Sequence, residues 1–278
     1  MTPNSSRRLL IWILFLNLSP SKAWAVQGMN TQKNRVDDTE DLIINQMREE
    51  QAENIYRLRD VYMLGGNPNT KVQLSAKFKL LKSQPLYFGY TQKMFWDLLR
   101  KDSNPFRDIT YNPEIFYTQE MTASDSSLKF LSVGLDHRSN GKAEEESRAY
   151  NAAFVQGDGR WKIADIPGTW SLRLQNVFSV DKTNPDIREH IGFWEARVSV
   201  ADLFGDRLAY KVEAYLNVFA GGPYGVDLSQ GGQELGFKFR TRIFGFFPYL
   251  MFQVYYGHKE SLLEYQDYTK AYRFGILL

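Results

Sequence analysis

The stretch Lys71-Val72-Gln73-Leu74-Ser75-Ala76-Lys77-Phe78-Lys79-Leu80-Leu81 decides the fold. Val72, Leu74, Ala76, Phe78 and Leu80 share one parity, while Lys71, Gln73, Ser75, Lys77 and Lys79 hold the other. Side chains of an extended chain point alternately to opposite faces, so this segment is a strand with one apolar and one polar face. The same arithmetic places Leu208, Tyr210, Val212, Ala214, Leu216 and Val218 against Lys211, Glu213 and Asn217. It recurs in Leu235, Phe237, Phe239 and Ile243 against Lys238, Arg240 and Arg242, and in Tyr272, Phe274, Ile276 and Leu278 at the C-terminus. Helical spacing fits none of them.

Working outward, strands are expected near 58–65, 70–81, 85–98, 108–120, 126–137, 147–157, 160–176, 190–203, 207–219, 233–243, 247–257 and 270–278. Turn signals separate them at Gly65-Gly66-Asn67-Pro68, Asp158-Gly159, Gly205-Asp206, Gly221-Gly222-Pro223 and Gly245. Twelve is an even count, as a closed antiparallel bacterial barrel requires. Connections are short after most even-numbered strands and often longer after odd ones, the pattern of turns on one side of a membrane and loops on the other.

Composition agrees. Tyr, Phe and Trp number 16, 19 and 6, or 15% of the chain, yet mean hydropathy is negative. Tyr87, Tyr90, Phe95, Trp96, Phe116, Tyr117, Trp161, Trp170, Phe193, Trp194, Tyr249, Tyr255 and Tyr256 fall near strand ends, where interfacial girdles lie. A soluble sandwich or lipocalin-like barrel also alternates, but it buries its apolar face and has no use for such a girdle. The expected fold is therefore all-β, a twelve-stranded antiparallel transmembrane β-barrel. A net charge of +2 with 24% charged residues gives no reason to propose nucleic acid as a partner. The absence of cysteine excludes disulfides, thiolate metal sites and a Cys nucleophile.

Arg7 and Arg8 precede an apolar run from Leu9 to Leu18, and Ala23-Trp24-Ala25 has the small-x-small cleavage pattern, so residues 1–25 read as a signal peptide. That run falls short of the ~20 residues a spanning helix needs. Residues 26–55 are polar and charge-rich and read as an arm outside the barrel domain, which takes 56–278.

Chemistry concentrates between Leu135 and Asn151. Leu131, Val133 and Leu135 share a parity that continues into His137 and Ser139, which turns both toward lipid. On the following strand Asn151 shares parity with Ala149, Ala153 and Val155, and antiparallel pairing brings it beside His137. A hydroxyl nucleophile needs an adjacent base, and the base needs a third group to fix its tautomer. Ser139, His137 and Asn151 are the right types for these three tasks. A neutral amide suits a lipid-facing position, where a carboxylate would carry a large desolvation cost. Gly141 leaves a backbone N–H free to approach an oxyanion. The competing reading is an ordinary hairpin loop, since Ser-Asn-Gly is a common turn sequence and a single His near a loop is usually structural. His190 and His258 are read in that structural way. On the residues alone, both readings of the His-Ser-Asn row stay open.

The segment His137-Arg138-Ser139-Asn140-Gly141, with Asn151 on the next strand, resembles the active-site segment of the outer membrane phospholipase A family of Gram-negative bacteria. Tyr90-Thr91-Gln92-Lys93, Pro105-Phe106-Arg107, Tyr111-x-Pro113, Asn184-Pro185-Asp186-Ile187 and Glu260-Ser261-Leu262 also match, so the likeness covers most of 56–278. The resemblance implies an outer-membrane enzyme that hydrolyses acyl esters of phospholipids at sn-1 and sn-2, and of lysophospholipids. It implies activation by homodimerisation with calcium at the interface. The implied contacts are Ser103 from one subunit with the Lys142 carbonyl and Ser147 from the other, and Gln92 resembles the polar residue at the dimer contact. Thr183 stands where the family has an acidic residue linked to a second calcium site, with Asp181 nearby, and the chain ends in Leu278 rather than an aromatic residue. A non-enzymatic barrel, a small porin or structural protein, is the alternative.

Overall fold

The strand from Lys71 to Leu81 is seen as β3 (Thr70–Leu81) in a computed structural model. The model describes residues 55–98, 105–122, 127–163, 166–204, 212–241 and 249–278. The expected signal peptide, nearly all of the arm, Ser103, the turns at Gly205-Asp206 and Gly245, and Leu208, Tyr210, Arg242 and Ile243 lie outside the described residues. Lys71, Gln73, Ser75 and Lys77 of β3 are buried, whereas Leu74, Phe78 and Leu80 are exposed. The barrel is thus polar inside and apolar outside, the reverse of a soluble one.

Around the wall follow β4 (Gln84–Trp96), β5 (Phe106–Glu120), β6 (Leu128–Ser139), β7 (Ala149–Ile163), β8 (Ile166–Val180), β9 (Trp194–Val200), β10 (Val212–Gly221), β11 (Asp227–Arg240), β12 (Tyr249–Gly257) and β13 (Thr269–Leu277). Each pairs antiparallel with its sequence neighbours. β2 (Tyr62–Asn67) joins β3 on one side and β13 on the other, which closes a twelve-strand ring from β2 to β13. The ring leaves no free edge, so every wall strand has a partner on both sides without water. No helix among the described residues is long and apolar enough to cross a membrane.

The first strand departs from expectation. β1 (Ile55–Tyr56) pairs with Phe78 and Lys77, and β2 pairs with Gln73, Val72 and Lys71 on the same edge of β3. Residues 57–61 therefore face only 74–76, and the surplus chain turns inward, so that Arg57, Leu58, Arg59 and Asp60 line a lumenal cavity of about 450 Å³. Charge explains it. Arg59 meets Glu114 at 2.9 Å, while Asp60 meets Lys238 at 3.1 Å and Arg197 at 3.3 Å.

Two expected turns are strand. Gly65 and Gly66 lie in β2, where a Cβ on Gly66 would come within 2.0 Å of the Tyr272 carbonyl. Asp158 and Gly159 sit inside β7, opposite Ser171 and Trp170. Trp170 lies over Gly159, where a Cβ would stand 2.6 Å from its ring, and Trp161 covers Gly168 in the same way. Both Trp residues lie on the outer face, near the end of the β7–β8 hairpin. Tyr87, Phe95, Phe116 and Tyr255, also assigned to the girdle by position, are instead buried inside. They share parity with lumenal polar residues, and Tyr87, Phe116 and Phe154 pack together against Leu58.

Segments 181–193 and 258–268 pack over the barrel mouth. A short helix, Ile187–Ile191, buries Ile187 and Ile191 against Tyr150, Ala152, Val177, Leu262 and Tyr265. Asp108, buried at the start of β5, accepts from the Ser261 hydroxyl at 2.9 Å and from the Leu262 and Leu263 N–H groups at 2.9 and 3.0 Å. Arg107 reaches Glu264, and Asp186 accepts from Tyr265 and Gln266. The scattered matching segments Pro105-Phe106-Arg107, Asn184-Pro185-Asp186-Ile187 and Glu260-Ser261-Leu262 thus meet in this cap.

Candidate active site

Alternation along β6 places Leu131, Val133 and Leu135 on the outer face, exposed by 40%, 55% and 51%. Ser132 and Asp136 point into the lumen and are buried. The strand continues without a bulge to Ser139, so His137 and Ser139 carry on the outward row. β7 pairs with β6 in the register His137 opposite Asn151 and Ser139 opposite Ala149. Across that pair His137 Nδ1 and Asn151 Oδ1 are 2.9 Å apart. An amide oxygen only accepts, so Nδ1 carries the proton and Nε2 keeps a lone pair. The structure therefore brings His137 and Asn151 together, with Ser139 next along the row.

Gly141 has φ +66°, a left-handed conformation that glycine adopts without a Cβ clash. Tyr111, opposite Ser139 on β5, lies close by, and a Cβ on Gly141 would stand 2.8 Å from its Cε2. Both backbone angle and space demand glycine here.

The loop after Ser139 is held by Asn140, to which the sequence reading gives no role. Asn140 is buried; its Nδ2 donates to the Glu146 carbonyl at 2.8 Å, and its Oδ1 accepts from the N–H groups of Arg148 at 2.9 Å and Lys142 at 3.3 Å. Asn184, fully buried, brackets Ala149: its Oδ1 accepts from the Ala149 N–H at 3.2 Å and its Nδ2 donates to the Ala149 carbonyl at 3.1 Å. Both lie within the matching stretches, but only the loop geometry reveals what their amides bind. Asn112 is also missed by sequence reading. Its Nδ2 donates to the His137 carbonyl at 3.0 Å from the lumen side.

Of the expected calcium contacts, Ser103 lies outside the described residues. Lys142 and Ser147 flank the exposed 3-10 turn Glu144–Glu146. The Lys142 ammonium is turned to Glu146 at 2.9 Å. The Ser147 hydroxyl donates to Asp181 Oδ2 at 3.3 Å, and its carbonyl accepts from the Thr183 hydroxyl. The Thr183 N–H donates to Asp181 Oδ1 at 3.0 Å, its single hydroxyl hydrogen is shared between that oxygen (2.8 Å) and the Ser147 carbonyl, and these bonds lower the Asp181 carboxyl from its ordinary value. The donors gathered here are hydroxyl, carbonyl and carboxylate oxygens, the set a hard cation such as calcium takes. Among the described residues no group of three or more His, Cys, Asp or Glu is placed to hold a metal.

A closed wall with an apolar outer band defines an outer-membrane-type barrel, and this one presents a polar His-Ser-Asn row to the lipid. The chain belongs to the phospholipase A1 family, whose model, described as Phospholipase A1, matches residues 38–278. A relative from Neisseria meningitidis serogroup B is 29% identical over 221 residues, 75% of this chain, and the chain spans 54% of that relative's length. Phospholipase A1 of Salmonella typhimurium is 28% identical over 222 residues, which is 75% of this chain and 68% of that protein. The chain is similar in fold to the Salmonella typhi outer membrane phospholipase, solved as a dimer with bound calcium, with a TM-score of 0.65 and 22% identity over 82% of this chain and 94% of that one.

Proposed function

We propose that this chain is a calcium-dependent, homodimeric outer-membrane phospholipase that hydrolyses the sn-1 and sn-2 acyl esters of phospholipids, and those of lysophospholipids. The observation that carries the reading is the His137 Nδ1 to Asn151 Oδ1 pair at 2.9 Å on the outward row that continues from Leu131, Val133 and Leu135. A polar pair there faces lipid and needs a purpose to offset its desolvation.

In this reading Ser139 is the nucleophile. His137 Nε2 takes the Ser139 proton as Oγ attacks the ester carbonyl carbon, and Asn151 holds the imidazole in the Nδ1–H tautomer and shares the developing positive charge by accepting from it. The Gly141 N–H donates to the oxyanion of the tetrahedral intermediate. Collapse expels the glyceryl oxygen, which receives the proton from His137 and leaves as the lyso product. Water, deprotonated by the same Nε2, then attacks the acyl-Ser139 ester; the fatty acid departs and Ser139 regains its proton. An uncharged Asn does this without placing a second charge against the bilayer.

Calcium would be held by Ser103 of one subunit with the Lys142 carbonyl and Ser147 of the other, and its charge would favour the oxyanion. Gln92 is on the outward face of β4, opposite Tyr111 of β5, and its Oε1 accepts from the Tyr90 hydroxyl at 3.1 Å. In this reading it belongs to the dimer contact.

The test is fatty-acid release from mixed phospholipid and detergent micelles by the purified protein and by Ser139→Ala, with calcium and with a chelator. Release by the wild type alone, and only with calcium, is expected. Equal rates for the two proteins, or no release from either, would support the non-enzymatic barrel instead.

A further inference from the structure

We infer that Asn112 is a positioning residue, whose side chain replaces a backbone donor missing from the wall opposite His137. The inference rests on the reading of His137 as the general base.

Tyr111 pairs with Ser139 and Glu114 with Asp136, so the register sets Pro113 opposite His137, and the β5–β6 ladder is interrupted at Asn112 and Pro113. Proline has no N–H, and inside a sheet it leaves the facing carbonyl without its ladder partner. In a barrel wall facing lipid no water can take that place. The His137 carbonyl instead accepts from Asn112 Nδ2 at 3.0 Å. The Asn112 amide is fixed in turn, because its Oδ1 accepts from Arg59 Nη1 at 3.3 Å, and the same nitrogen donates to Thr91 Oγ1 at 2.8 Å. Arg59 stands on the inward excursion of the first strand and is anchored by Glu114 at 2.9 Å. Asp136, the neighbour of His137, is tied to the same set through Arg173, which lies 2.7 Å from Asp136 and 3.3 Å from Glu114.

The inward loop of residues 57–61 thereby acquires a task. It delivers a guanidinium that orients an amide, and the amide orients the backbone from which the imidazole springs. Without the amide the His137 carbonyl is an unsatisfied acceptor in the wall, free to tilt, and an ångström of tilt is costly at a reacting centre. Pro113, on the outer face beside the row, makes the repair necessary.

The proposal predicts a rescue. Asn112→Ala should lower kcat on the order of tenfold or more with KM little changed. Pro113→Val restores an N–H at the vacant ladder position, so the double variant Asn112→Ala/Pro113→Val should regain most of the lost kcat. Heat-dependent electrophoretic migration checks that each variant is a closed barrel. His137 is also observed directly by imidazole 15N NMR, assigned by difference against His137→Ala among the three histidines. Its ring resonances should shift or broaden in Asn112→Ala and return in the double variant. Full kcat in Asn112→Ala, or a double variant no better than the single one, would overturn the proposal. If the wild type releases no fatty acid, the phospholipase reading fails, and the NMR series still decides whether Asn112 holds His137.

Discussion

At the scale of single residues, the site is a row of side chains whose identities follow from where they stand. A base that must work beside lipid cannot be oriented by a carboxylate at small cost, and an amide serves through one 2.9 Å contact. Ser139→Ala should reduce fatty-acid release on the order of a thousandfold or more, because it removes the hydroxyl that follows His137 on the outward row of β6. Asn151→Ala leaves the base present with its tautomer unfixed, so a smaller fall in kcat is expected, roughly tenfold to a hundredfold. The ordering of the two in the micelle assay is the check. Gly141→Ala must place a side chain at φ +66° and 2.8 Å from Tyr111, at about 1 kcal/mol or more for the backbone alone. A lower kcat with an intact barrel is expected. The row was legible in the sequence because parity is strict in a strand. Asn112 was not legible, since its contact runs to a backbone carbonyl on another strand.

At the scale of elements, a loop and a cap hold the row from outside the membrane. The loop 140–148 depends on Asn140, which makes three hydrogen bonds to its backbone. Asn140→Ala should leave the wall closed but loosen the oxygens of Lys142 and Ser147. In a titration of hydrolysis against calcium, the half-activating concentration should rise several-fold. The cap carries a titratable contact: His190 packs edge-on against Tyr265, with ring centroids 5.2 Å apart, and lies 3.7 Å from Asp186. Burial lowers its pKa from the ordinary value, an effect that Asp186 opposes in part and nearby His258 reinforces. A histidine lowered in the folded state favours its neutral form, so its contribution is complete above pH ~6.5 and is lost as pH falls through the lowered value. Amide protection factors in 187–191, normalised for the intrinsic pH dependence of exchange, should therefore fall as pH drops from ~6.5 through that lowered value, and less so in His190→Gln. The cap itself was invisible in the sequence, because its matching segments lie far apart in the chain and meet through Asp108, Asp186, Glu264 and the apolar cluster of Ile187, Ile191, Leu262 and Tyr265. Asp158-Gly159 misled for a related reason: the glycine gives room to Trp170 and makes no turn.

At the scale of the whole molecule, twelve alternating strands sort their residues into an apolar exterior and a charged interior. That division was readable because every strand repeats it, and the Lys71–Leu81 segment shows it in one reading. The inward turn of 57–61 and the lumenal Tyr87, Phe95, Phe116 and Tyr255 were not readable by proximity to strand ends, although parity would have placed these aromatics inside. Val133→Arg puts a charge near the middle of β6 on the lipid face, at about 2–4 kcal/mol. Ser132→Ala removes a lumenal hydrogen bond to Thr118 (2.9 Å), at about 1 kcal/mol. Denaturant unfolding in lipid vesicles should rank the two in that order. An activated Ser139 facing the bilayer should react with a long-chain sulfonyl fluoride delivered in the lipid phase. Peptide mass spectrometry of vesicle-embedded protein with calcium should find the adduct on Ser139, and none after His137→Ala. An adduct on a different residue, or no adduct on a protein that still hydrolyses phospholipid, would contradict the activation of Ser139.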